Sequence, residues 1–242
     1  FRSPGKGKLA ELAKYPSKAV RMDAVVAARM IKDPGAEAFL NDSDLAVVGE
    51  AARAIHDDLS IPDALPALAK VMDKPGLTDE GILRRSISAN IRVGGDDAAH
   101  RLMAYALRKE APAAMRAEAL ETLVLWPKGL AFDRVMAFHR ALPARDATLV
   151  REDFAKAFDA LILDPSREVQ KAAAKLVRAL DYKPAIEKLT PMALDTKLDA
   201  DTRATALQTL AVARAPRVKE AIDSMINSDD PALRVAAIQA MA

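Results

Sequence analysis

Residues 164–180 read DPSREVQKAAAKLVRAL: an Asp-Pro turn, a short polar stretch, then alanines and leucines at helical spacing. The same order recurs at 15–30 (YPSKAVRMDAVVAARM), 111–126 (APAAMRAEALETLVLW), 199–213 (DADTRATALQTLAVA) and 229–242 (DDPALRVAAIQAMA). Two looser copies stand at 41–55 (NDSDLAVVGEAARAI) and 78–91 (TDEGILRRSISANI). Aligned, they bring Arg21, Val48, Arg84, Arg116, Gln170, Arg203 and Arg234 into register, at steps of 27, 36, 32, 54, 33 and 31 residues. A period of this length marks a repeat architecture in which each unit buries its apolar face against the next. Amphipathic stretches at 61–72, 96–109, 183–195 and 216–227 precede the signature helices and supply the first helix of each pair. The long step also holds AFDRVMAFHRAL (131–142), which is expected to form an extra helix.

Composition agrees with an all-helical chain. Hydrophobic residues make up 51% but aromatics only 4%, so much of the apolar content is alanine, the strongest helix former. Small side chains let helices approach closely and suit stacked layers. Net charge is +2, too balanced for the overall field that nucleic-acid binders carry. The absence of cysteine excludes disulfides, thiolate catalysis and cysteine-held zinc or haem within this sequence. No apolar run reaches the length of a spanning helix. The chain begins with Phe1 and stops within a helical pattern, so a piece of a longer multidomain protein is expected.

With its Asp-Pro turn, hydrophobic-Arg pair and Ala-Ala run, the pattern resembles HEAT repeats over essentially the whole chain. The resemblance implies one array over 1–242: an armadillo-like, right-handed α-solenoid of about seven helical hairpins, the second helix of each lining a concave face. In HEAT repeats the register arginine commonly pairs with an acidic residue of a neighbouring turn. Arg21, Arg84, Arg116, Arg203 and Arg234 are therefore expected to form a ladder between layers. Arg85, Ser88, Arg92, Glu118 and Glu121 are the residues expected to be exposed on the concave face.

Within 81–95 (GILRRSISANIRVGG), Ile82, Leu83, Ile87 and Ile91 face the core, Thr78 is the expected N-cap, and Gly94-Gly95 ends the helix. Asn90 needs buried partners, for which the backbone of an adjacent element is the expected source. PGKGK at 4–8 lacks the spacing and flanking strand of a phosphate loop. Asn41–Asp44 resembles the start of a calcium loop, but Val47 and Arg53 replace the required glycine and glutamate, which leaves a helix cap. His56, His100 and His139 make no metal-binding pair on one helix and are expected at the surface. Trp126-Pro127 is expected to plug the junction at the extra helix.

Residues 40–130, including Arg84-Arg85, Ala89-Asn90, Gly94, Arg116–Leu120 and Trp126-Pro127, resemble more narrowly the HEAT region of large planctomycete and verrucomicrobial proteins. There a dehydrogenase-like β-propeller precedes the array and a cytochrome c domain follows. That resemblance implies a non-catalytic spacer or protein-interaction scaffold in an exported parent oxidoreductase. Its partners would be the flanking domains or another protein, and the segment itself would carry no catalytic residue, metal or cofactor. Two alternatives come from other classes: a nucleic-acid-binding HEAT-like protein of the DNA glycosylase type, and a lyase built on a HEAT scaffold.

Overall fold

The computed structural model describes residues 8–241. The basic leading segment at 4–8 lies outside them except for Lys8. Among the described residues the fold is all-α apart from one short hairpin. Contacts divide the chain into two compact units. The first runs to Tyr105 and takes in 130–142; the second comprises 106–129 and 143–242.

The first unit begins with α1 (Lys8–Glu11) and α2 (Lys18–Ile31), followed by a 3₁₀ stretch over Pro34–Asn41 and α3 (Leu45–His56). Next come α4 (Leu65–Ala69), prolonged by a 3₁₀ turn over Lys70–Asp73, and α5 (Glu80–Val93). The helix α6 (Asp96–Leu107) carries the chain to the second unit. Within the first unit α2 packs on α3, and α3 and α4 pack on α5. Residues 61–72, expected as one first-type helix, form only α4 between two 3₁₀ turns. Pro62 and Pro66 deny the segment backbone donors, so a continuous α-ladder cannot run through it.

The second unit opens with α7 (Ala113–Val124) and continues as the pairs α8 (Thr148–Ile162) with α9 (Arg167–Ala179), α10 (Lys183–Leu194) with α11 (Ala200–Ala213), and α12 (Val218–Met225) with α13 (Pro231–Ala240). Here α7, α9, α11 and α13 pack side by side in sequence, and α8, α10 and α12 back them. Alanine makes this spacing workable: Ala172, Ala173 and Ala174 are all buried in α9 and bring its backbone close to its neighbours.

Short polar residues start the second helices. Asp44, Asp79, Asp199 and Asp230 accept from Ala46, Ile82, Thr202 and Ala232 N–H at 2.8–2.9 Å. Asp79, rather than the expected Thr78, caps α5. Beyond α5, Gly94 and Gly95 stand at φ 70° and 76°, where a side chain would be strained.

The expected extra helix at 131–142 is instead a β-hairpin of β1 (Leu130–Phe132) and β2 (His139–Leu142). Its turn is organised by the Asp133 carboxylate, which accepts from Val135 and Met136 N–H at 2.9 and 2.7 Å. These bonds satisfy donors that a helix would otherwise use. Gly129 and Pro143 bracket the segment, and Ala137 closes the turn at φ 55°.

Candidate functional site

The register residues do one recurring job. Five of the seven reach from the first turn of their helix to a main-chain carbonyl of the segment before it. Arg21 donates to Tyr15 and Pro16 O, Arg116 Nε to Ala106 O, Gln170 to Asp164 O, Arg203 to Ala193 O and Arg234 to Ser228 and Asp229 O. Carbonyls at helix ends and in turns lack intrahelical partners, and the guanidinium fork supplies donors to them. Two of these arginines also reach across to the following turn. Arg21 pairs with Asp42 at 2.6 and 3.1 Å, and buried Arg116 makes a two-armed pair with buried Asp164. Arg84 departs from the expected interlayer role: it pairs with Glu80 of its own helix at 3.6 Å, and the residue beside it turns inward instead.

That neighbour, Arg85, makes a bidentate pair with Asp57 at 2.8 and 2.9 Å. It belongs to a cluster in the first unit that the sequence did not signal. His56 is fully buried, contrary to its expected surface place. Its Nδ1 lies 3.2 Å from Asp57 Oδ1, and its Nε2 lies 2.8 Å from Ser88 Oγ and 3.5 Å from Asp133 Oδ2. Asp133 in turn holds Arg92 at 2.5 Å, while Arg140 of β2 donates to the His56 and Asp57 carbonyls. Ser88 and Arg92, expected on an open face, are thus buried, and Arg85 is largely so. Both the serine and Arg92 are engaged by groups that the hairpin, or the end of α3, brings to them. Asn90 is also buried and donates to the Ala69 and Ser86 carbonyls at 2.9 Å.

Burial pushes the His56 pKa down, and the nearby Asp133 and Asp57 carboxylates only partly offset it. For Asp57, burial acts upward but the Arg85 bonds and charge outweigh it and hold the carboxyl below its ordinary range. Asp133 is also lowered: the Met136 N–H and Arg92 outweigh its burial. His56 Nδ1 faces Asp57, and its Nε2 faces the Ser88 hydroxyl and, farther off, Asp133; whichever nitrogen carries the proton of the neutral ring sets the direction of the Ser88 bond. The order Ser88–His56–Asp57 has the connectivity of an activated hydroxyl. Ser88 is 3% exposed and His56 0%, and the network ties the hairpin to α3 and α5. His139 lies on β2, exposed, with its ring edge-on to Phe132 at 5.6 Å.

An open groove with both polar and apolar lining lies in the second unit. It measures about 400 Å³ and has α11 as its floor and α9 and the end of α13 as its walls. Arg167, Gln170 and Lys171 come from α9, Thr205 and Gln208 from α11, and Gln239 from α13. Gln208 Nε2 donates to Gln239 Oε1 at 3.2 Å. At the corresponding positions of α7 and α9, Glu121 and Lys175 form an ion pair at 2.5 Å. Glu121, expected as exposed, is half-buried by that bridge, and Glu118 is half-buried as well. Trp126 is buried, with Arg145 over its ring at 5.0 Å.

No helix among the described residues is long and apolar enough to cross a membrane. No protein-family model matches the sequence, and no curated protein matches it. Several solved chains are similar, two of them over most of this chain's length. One is an engineered protein, at 18% identity over 97% of this chain and 96% of that one, with a TM-score of 0.31. The other is the complex of CpcE and CpcF of phycocyanin lyase from Nostoc sp. PCC7120, at 22% identity over 85% of each chain, with a TM-score of 0.30.

Proposed function

We propose that this chain is a non-catalytic, protein-interacting scaffold whose binding surface is the groove over α9, α11 and α13. The observation that carries the reading is the side-by-side packing of α9, α11 and α13, which brings residues of all three helices to one open groove. Such stacked faces offer an extended partner several anchor points at once. The reading takes the repeats as a right-handed HEAT-like solenoid of about seven hairpins. In a longer exported protein of the propeller–HEAT–cytochrome kind, the segment would space or orient its neighbours.

Site-specific photo-crosslinking in the native host tests it. A benzoylphenylalanine at Gln208 is expected to trap a protein that one at Lys219, exposed on α12, does not. The trapped protein, purified, should then bind the intact chain and bind a Gln208→Trp variant less well, because the bulkier neutral side chain fills the groove. Adducts from neither position, or equally from both, would overturn the proposal.

A further inference from the structure

The wall of the groove contributed by α9 carries two cations that fold stability does not explain. Arg167 and Lys171 are exposed, stand at i and i+4 on one helix face, and repel one another. Arg167 is also the first residue of α9, where the helix dipole disfavours positive charge. Neither cation has an ion pair or a side-chain hydrogen bond among the described residues, although ion pairs are common elsewhere in the second unit. The main compartment of the groove has no carboxylate in its lining; Asp201 lines, with Arg167, the adjoining compartments toward the start of α11, without an ion pair between them.

Geometry narrows the complementary group. Arg167 and Lys171 are separated by about 6 Å along the helix axis, four rises of about 1.5 Å. Side chains at i and i+2 of an extended chain point the same way and are about 6.6 Å apart. The floor from Thr205 to Val212 is about 10 Å long, the reach of three extended residues. The floor and the far wall offer amides: Gln208 keeps its carbonyl oxygen and Gln239 its NH₂ group after their mutual bond, one acceptor and one donor group for a main chain lying along them.

We infer that the groove binds an extended acidic segment of a partner protein, with carboxylates at alternate positions facing Arg167 and Lys171. The inference rests on the interaction reading above and adds the chemistry of the partner. Fluorescence anisotropy with a labelled peptide of alternating Glu and Ser, beside matched Gln/Ser and Lys/Ser peptides, tests it on the intact chain. The Glu/Ser peptide is expected to bind about ten-fold or more tighter than the Gln/Ser peptide. That preference should weaken as salt is raised. A double variant, Arg167→Glu with Lys171→Glu, should lose it with an unchanged circular dichroism spectrum, because both side chains are exposed. Arg178→Glu, also exposed on α9, should keep it. Equal binding of the Glu/Ser and Gln/Ser peptides, or unchanged binding by the double variant, would overturn the acidic assignment. If Gln208 still trapped a partner selectively in that case, the interaction reading would stand while this inference fell.

Discussion

Arginines that occupy one register position differ widely in what they contribute. Arg116 and Asp164 are both buried, so deleting the guanidinium leaves a carboxylate desolvated without its cation. Arg116→Ala is expected to cost about 3–5 kcal/mol in urea unfolding. Arg84, more than a third exposed beside Glu80, should cost no more than about 0.5 kcal/mol when changed to Ala. Similar losses for both would show that burial is not what sets the value of the position. His56 supplies a pH effect. Its folded pKa lies below the ordinary 6.5, so the unfolded chain takes up the proton more readily. Stability is then fully present above about 6.5 and is lost as pH falls from there to the lower folded value. Urea midpoints between pH 5 and 8 should show a slope that His56→Asn reduces; an identical slope in the variant would remove His56 as its source.

The hairpin shows how an element is chosen against its local pattern. Residues 131–142 offer enough apolar positions for a helix, yet the Asp133 carboxylate is worth more in the turn. There it accepts two N–H groups and holds Arg92, a buried arginine of α5. Asp133→Ala is expected to lower stability by about 3–5 kcal/mol and to speed amide exchange at Val135 and Met136. Ala137, at φ 55°, pays for a left-handed conformation that glycine adopts freely. Ala137→Gly should raise stability by about 0.5–1 kcal/mol in the same assay, and a loss would mean the turn is not strained.

At the scale of the whole molecule, charge is near balance and much of it is spent internally. Arg21, Arg85, Arg92, Arg116 and Arg203 are committed to carboxylates or carbonyls. A phosphate track needs cations free to release counterions along a surface. Labelled duplex DNA at low salt is therefore expected not to bind at micromolar protein, by anisotropy; salt-dependent binding in that range would contradict the internal use of these arginines.

Periodicity alone determined the helical class and the second helices, and it placed their starts to within a residue at α5, where Asp79 caps in place of Thr78. Those follow from local chemistry: aspartate caps, alanine spacing and glycine stops act within a few residues of themselves. It could not show that Arg84 turns outward while Arg85 and Ser88 turn in, because the rotation of α5 depends on what covers it. His56 and Asp133 lie far apart in the chain, and no spacing rule links them. Whether 131–142 became helix or hairpin was decided by buried polar groups, His56 at the end of α3 and Arg92 on α5, that needed a partner. The groove cations were visible as residues, yet their lack of carboxylate partners appeared only once α9, α11 and α13 stood together. Tertiary structure decided these points because burial and pairing are properties of neighbours in space, which a local pattern does not contain.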